Sequence, residues 1–443
     1  MAVALVEARV GHRTRPRRST ALALGLCLAL LLGGAVLVRS VPRRIPVVAT
    51  TVAVGPDGVV VEVPAGTARL VPGSRVLTGP GSAARVAAEQ AWLDAGSVPA
   101  VPGLGPDSDL VRGALLDLHL LTRTDGVPVA AWGGPWHYVW PRDAAFAAVA
   151  FARTGHLDDA ERVLDFLGRV QPASGLFAAR YLPDGSGVPD ARGTQLDGTG
   201  WALWATAGVA DALPPQARPA FVARHRALVD ASTRAALHAI DRPSALPPPS
   251  PDYWEQRERR TTLATAAPLR AGLSAAVRLE RLAGDEDAAD HAQQGEERLG
   301  RAVADRFGAH GYPRALDGPA GSVDLGVAFL LPPFAAEVDP QAYARFREAG
   351  PLLARPAGGL APGGSWRRDG VSWTPTTATW ALAAAGSGEE EESLRLLRFL
   401  EAHRTADGSL PEKVLADGRP AEVAPLAWTA AAVVLAADEL SRS

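Results

Sequence analysis

Two glutamates have the residue types around them that proton-transfer chemistry needs. Glu255 lies in Pro251-Asp252-Tyr253-Trp254-Glu255-Gln256-Arg257, after a proline-rich run and before a long helical pattern. A carboxyl packed against an indole loses solvation when it ionises, so its pKa is expected to rise and it can still carry a proton near neutral pH. Glu412 lies in Gly408-Ser409-Leu410-Pro411-Glu412-Lys413-Val414, ahead of the final helical segment, where the neighbouring Lys413 is expected to favour its ionised form. One carboxyl in apolar company and one beside a cation form the asymmetric pair that a general acid and a general base require. Each also has an ordinary explanation, since Trp-Glu pairs occur at helix starts and a loop Glu beside Lys is usually a solvated pair.

A second group of residues has the types that bind sugars. Trp132, Trp136, Tyr138 and Trp140 precede Pro141-Arg142-Asp143. Pro141 suits the first turn of a helix, which puts Arg142 and Asp143 at its N-terminal end and the aromatics in the preceding loop. Aromatic faces stack on the apolar faces of sugars, while Arg and Asp serve vicinal hydroxyls as donor and acceptor. A capped helix with a packed aromatic loop is the plain alternative. Trp366, Arg367, Arg368, Asp369 and Trp373 repeat the theme, and Gln195 with Asp197 gives a weaker version.

Other chemistries find little support. The net charge of -3 is spread along the chain, so there is no electrostatic footprint for nucleic acid. The single cysteine, Cys27, lies in an N-terminal apolar run, which excludes a disulfide, a thiolate metal site and a catalytic thiol from the body of the protein. The histidines show no metal-ligand spacing and no Gly-rich phosphate loop precedes a helix, so neither metal nor cofactor is expected. Gly363-Gly364-Ser365 is no nucleophile elbow, because Trp366 and Arg367 follow it.

The elements that must position these residues are mostly helical. Residues 1–18 carry five arginines, Arg13, Arg15, Arg17 and Arg18 among them, and read as a basic cytoplasmic tail, and the uncharged run 19–38 is long enough to cross a bilayer. The positive-inside rule then sends the rest of the chain across, as a single-pass, extracytoplasmic protein of the cell membrane. A cleaved signal sequence and a secreted protein are the competing reading. Residues 39–104 read as a short β-rich segment and linker, with strands near 58–63 and 68–71 and a short helix over 83–95. From 105 to 443, apolar residues recur at helical spacing over 107–123, 142–155, 157–170, 198–211, 215–241, 260–282, 285–307, 322–331, 340–354, 372–386, 388–403 and 423–441. About twelve helices in pairs, separated by longer irregular loops, predict an all-α closed toroid with an inner ring wrapped by an outer one. The informative residues lie in the breaks, where such a toroid gathers them at one mouth.

Trp140-Pro141-Arg142-Asp143, Trp254-Glu255-Gln256-Arg257, Leu410-Pro411-Glu412 and Leu426-Ala427-Trp428 occur in the order found in the glucoamylase-like glycoside hydrolases of family 15, which the chain resembles over roughly 105–440. The resemblance implies an (α/α)6 barrel and an inverting glycosidase that releases glucose from the non-reducing end of α-glucosides. It implies Glu255 as general acid and Glu412 as the general base activating water, with the carboxyls about 6.5 to 9.5 Å apart. Arg142 and Asp143 match positions that hold hydroxyls of the terminal sugar; Trp140, Trp254 and Trp373 would line its pocket beside Asp197. Arg367 would be the second substrate-binding arginine, with Arg368 as its rival. The chain departs from the family in having Gln256 after the acid, Lys413 after the base and no large N-terminal β-sandwich. That favours short soluble α-glucosides or cell-surface glycans over granular starch. A non-catalytic glycan-binding toroid, or another all-helical sugar enzyme such as a trehalase or an inverting phosphorylase, would fit the same helices.

Overall fold

The computed structural model describes residues 45–67, 69–122, 125–319 and 321–442. The expected membrane span over 19–38 and the basic tail before it lie outside the described residues. Among the described residues no helix is long and apolar enough to cross a membrane. The architecture belongs to the unit Pro46–Ser443.

Six inner segments close into a ring. They are α3 (Pro141–Arg153), α5 (Leu196–Ala212), α8 (Leu263–Leu282), a 3-10 turn (Leu325–Leu330), α11 (Thr374–Gly386) and α13 (Ala427–Arg442). Each packs on the next, and α13 returns to α3. The outer layer consists of α2 (Leu110–Leu121), α4 (Leu157–Val170), α7 (Arg226–Ala239), α9 (Glu286–Arg306), α10 (Pro340–Leu353) and α12 (Glu390–Ala402), each preceding one inner segment in the chain.

The side chains account for the two layers. Every residue of α3 from Pro141 to Ala152 is buried, as is every residue of α11 from Thr374 to Ala385, because these helices are apolar or small all round. Most outer helices bury one stripe, such as Ala160, Val163, Leu164 and Leu167 on α4, whereas α2 is buried on nearly every side. Glycine sets the closest crossing. A Cβ on Gly200 of α5 would stand 2.1 Å from the Pro268 carbonyl oxygen of α8, and one on Gly272 would stand 2.6 Å from the Gly200 Cα. Phe146, Trp201, Trp204, Phe329, Phe334 and Trp428 fill the middle of the ring with edge and tilted ring contacts.

Several sequence expectations need correction. The helix expected over 322–331 is only the 3-10 turn Leu325–Leu330, capped by Asp324, whose side chain accepts from the Gly326 amide. The single helix expected over 215–241 is broken at His225 into α6 (Arg218–Arg224) and α7. In the N-terminal segment, β1 (Thr50–Val54) and β2 (Val60–Pro64) form an antiparallel hairpin, and α1 spans Ser82–Asp94. Among the described residues 69–71, Leu70 makes only an isolated bridge, to Leu77, and no strand forms. A second small sheet joins β3 (Ser372–Trp373), β4 (Lys413–Val414) and β5 (Pro420–Ala421), all antiparallel.

Chain direction gathers the site. The connections leading into the inner segments, 122–140, 171–195, 240–262, 307–324, 354–373 and 403–426, are long, whereas most of those leaving them are short. The long loops therefore meet at the N-terminal end of the ring, and every sugar-type residue singled out above lies in one of them or in the first turn after it.

Candidate active site

Arg142 is the centre of the mouth. Pro141 occupies the first turn of α3, so Arg142 and Asp143 project at its N-terminal end. The Arg142 guanidinium is 5% exposed. It donates from Nη1 to Asp197 Oδ2 at 2.8 Å, lies 3.5 Å by Nη2 from Glu255 Oε1, and stands 4.8 Å over the Trp428 ring. Its Nε has no hydrogen-bond partner, though Asp143 Oδ2 is 3.8 Å away. Burial pushes Asp143 up to about 7 and Asp197 up to about 6, in each case against the pull of Arg142. Two carboxylates and one guanidinium, drawn from the first turns of α3 and α5, thus form a compact set of donors and acceptors for hydroxyls.

Glu255 occupies a strained position. Its φ is 54°, a left-handed conformation that a non-glycine residue rarely adopts, and its amide donates to the Asp252 carbonyl at 2.8 Å. The turn is held from below by an ion cluster. Arg314 bonds both oxygens of Asp252, at 2.7 and 3.1 Å, reaches Asp324 at 3.0 Å, and also pairs with Glu258. The same guanidinium stacks on Trp254 at 3.8 Å. Gly363 permits the packing above it, because a Cβ there would stand 2.6 Å from Trp254 Cζ2.

The surroundings of Glu255 contradict the apolar setting expected from sequence. Its carboxylate accepts from Gln195 Nε2 at 2.9 Å through Oε1 and from Arg192 Nη1 at 2.9 Å through Oε2, with Arg142 close by. The Trp254 indole is engaged instead by Arg314 and, edge-on at 4.6 Å, by Trp366. Loops distant in sequence supply cations that the heptapeptide around Glu255 does not reveal.

Glu412 differs from expectation as well. It is 8% exposed, and Lys413 Nζ does approach Glu412 Oε2 at 3.2 Å, as the sequence suggested. Burial nevertheless prevails and raises the Glu412 pKa, assisted by the nearby charge of Glu422 and opposed by Lys413 and by a hydrogen bond from Trp136. Lys413 is divided between two acids. It lies 3.2 Å from Glu422 Oε1 and 4.3 Å over the Trp373 ring. Backbone bonds fix the Glu412 loop, with Glu412 N donating to Val423 O at 2.8 Å and Thr374 N donating to Glu412 O at 3.0 Å.

Between the two glutamates runs an aromatic wall. Trp254 meets Trp366 at 4.6 Å, Trp366 meets Trp373 at 5.4 Å, and Lys413 covers Trp373. The indole N–H groups of Trp254, Trp366, Trp373 and Trp428 are buried without a hydrogen-bond partner. Buried donors are ordinarily satisfied, so a cluster of orphans at one mouth marks a place for hydroxyl-bearing ligand or water. Trp140 is 8% exposed and supports Arg180, whose guanidinium lies 5.0 Å over its ring. Arg367 is exposed and stands 5.7 Å over Trp366, while Arg368 is exposed without such a contact.

Sequence reasoning missed Arg192, Arg314, Asp324 and Glu422. None stands directly beside an aromatic residue in sequence or in a motif that singles it out; Arg192 and Arg314 act on residues in another part of the chain, while Asp324 and Glu422 act across short loops on Arg314 and Lys413. Among the described residues no group of three His, Cys, Asp or Glu side chains converges as metal ligands.

No protein-family model matches the chain, and no curated protein matches it in sequence. Solved structures do match. A wild-type glycosidase superposes with a TM-score of 0.65 at 22% identity, covering 75% of this chain and 96% of its own. A bacterial glucoamylase complexed with acarbose gives 0.64 at 18%, over 80% of this chain and 57% of that one. The glucoamylase of Saccharomycopsis fibuligera gives 0.59 at 13%, over 80% and 96%. The fold is therefore that of the glucoamylase-like helical toroids.

Proposed function

We propose that the protein is an inverting glycoside hydrolase that releases glucose from the non-reducing end of α-glucosides. The observation that carries the reading is the pairing, at the N-terminal end of an inner helical ring, of two carboxylates with a cluster of unsatisfied indole donors and the Arg142–Asp143–Asp197 set. The glucoamylase-like fold supports it.

In this reading Arg142, Asp143 and Asp197 hold hydroxyls of the terminal sugar, and Trp254, Trp366, Trp373 and Trp428 enclose it. Glu412 accepts a proton from water as the water oxygen bonds to the anomeric carbon. The bond from that carbon to the leaving oxygen breaks as Glu255 delivers its proton to the departing alcohol. The anomeric configuration inverts and no covalent sugar intermediate forms. The burial that raises Glu412 makes its ionised form a stronger base.

The decisive experiment follows product anomers by proton NMR on a panel of α-linked gluco-oligosaccharides and trehalose. Early β-glucose is expected. Glu255→Gln and Glu412→Gln are each expected to lower turnover by about 10² to 10⁴-fold while sugar binding persists. Release of α-glucose first, or comparable turnover in either variant, would contradict the assignment. The apolar run 19–38 and the arginines before it motivate a membrane tether with the toroid outside the cytoplasm. Retention of the full chain in membranes after carbonate washing tests that.

A further inference from the structure

The two oxygens of Glu255 face different surroundings. Oε1 looks inward, to Gln195 and to Arg142, which is 5% exposed. Oε2 looks outward, to Arg192, whose side chain is 38% exposed. Arg192 ends the loop 182–193, in which Gly185, Gly187 and Gly193 all have positive φ. Besides Glu255 it is held by Asp190, at 3.1 Å from its Nε, and Asp190 is itself shared with Arg180.

A sugar that enters a closed ring by its non-reducing end leaves its aglycone towards solvent. The proton from Glu255 must therefore be delivered on the outward side, where Arg192 now stands. Two further arginines lie in the loops that carry Glu255 and Trp366. Arg257, two residues beyond Glu255, and Arg367, over Trp366, are exposed, and among the described residues neither pairs with a carboxylate. These guanidiniums offer donors on the outward side although the chain as a whole carries a net charge of -3.

We propose that the site selects α-glucosides whose leaving group carries an anion, a carboxylate or phosphate a few bonds from the glycosidic oxygen, and that Arg192 is the residue that recognises it. The inference rests on the hydrolase reading for its direction, since it is the scissile bond that defines a leaving group. An arriving anion accepts the N–H groups of Arg192 and draws the guanidinium off Glu255 Oε2. That oxygen is thereby freed on the side where the leaving group stands. Glu255 passes its proton to the leaving oxygen, so the alcohol departs with its anion unchanged. A neutral aglycone leaves Arg192 where it is.

Three probes of similar size decide the matter: 2-hydroxyethyl α-glucoside as the neutral control, carboxymethyl α-glucoside and 2-phosphoethyl α-glucoside. The full-length protein is expected to prefer at least one anionic probe in kcat/KM by about ten- to a hundredfold, the range of a charge-assisted hydrogen bond. That preference is expected to shrink with rising salt. In Arg192→Gln the anionic-to-neutral ratio is expected to fall to within about threefold of one, and Arg192→Lys, which keeps the charge but loses the planar fork, to lie between. Whichever anion keeps the preference identifies the source. A ratio near one in the unaltered protein, or an unchanged ratio in a folded Arg192→Gln variant, overturns the proposal. If no probe is hydrolysed, calorimetry with Glu255→Gln separates the two ideas. Tighter binding of an anionic probe would then reject the hydrolase reading and retain the anion site, whereas equal binding would reject both.

Discussion

Lys413 is the only lysine in 443 residues, and it is buried between two carboxylates. Replacing it with methionine keeps most of the side-chain volume and removes the charge. At 3.2 Å the attraction to Glu412 is of the order of several kcal/mol at the effective dielectric of such sites, and Glu422 shares it. An opposite charge at this range ordinarily moves a carboxyl by about 1 to 3 pH units, each worth about 1.4 kcal/mol. Glu412 already lies above its ordinary value, because burial outweighs the lysine, so removing Lys413 must raise it further. Below that pKa the base is protonated and cannot accept the proton of water. The acid limb of the kcat/KM–pH profile is therefore expected to move upward by about 1 to 3 pH units in Lys413→Met. The linkage carries the same sign into stability. A folded carboxyl held above its unfolded pKa costs stability as pH rises from the unfolded value, near 4.5, to the folded one. Lys413→Met widens that window, with a loss of about 3 to 5 kcal/mol at neutral pH that shrinks on acidification. Glu422→Gln, which leaves Lys413 wholly to Glu412, is expected to move the acid limb the other way. Steady-state kinetics from pH 4 to 9, with thermal unfolding in the same buffers, gives both answers. An acid limb that stays put in a folded Lys413→Met protein would refute the reasoning, because it would mean that Glu412 does not set that limb.

Three other perturbations test neighbouring parts of the argument. Asp143→Asn removes a carboxyl that burial pushes up to about 7, so it is expected to add about 2 to 4 kcal/mol at pH 8, a gain that fades as pH falls towards 4, while kcat/KM drops; denaturant melts at both pH values check it. Arg314→Met strands Asp252 and Asp324 and is expected to cost about 3 to 5 kcal/mol and to slow turnover by loosening the Glu255 turn; partial recovery on adding Asp252→Asn would tie the effect to the ion cluster. Gly200→Ala forces a methyl into the Pro268 carbonyl and is expected to cost about 1 to 3 kcal/mol or more in thermal melts; an unchanged melting temperature would mean that the α5–α8 crossing has slack.

Much of the toroid was legible in the sequence because helical periodicity is local. The expected segment 157–170 coincides with α4, and others such as 142–155 and 285–307 differ from α3 and α9 by one or two residues at each end. Pro141 announced the start of α3 through its missing N–H, and the alternation of segments and long breaks indicated where loops would gather. Less legible was the inner turn at Leu325–Leu330, where an apolar run in the ring is buried by its neighbours whether it coils as an α-helix or a 3-10 turn. The break at His225 was equally hidden, since the apolar spacing continues across it.

The chain by itself thus determined the candidate residues and their order, Glu255 and Glu412 among them, together with the helices that carry them to one mouth. Their electrostatic character was decided only by the tertiary structure. Glu255 was expected in apolar company and stands instead between Arg192 and Arg142, which are 63 and 113 residues away in sequence. Glu412 was expected to be governed by Lys413 and is governed first by its burial. The physical reason is common to both. Coulomb interactions and desolvation depend on distances through space, and in a ring closed by six long loops the groups that set them come from loops that the local sequence does not connect.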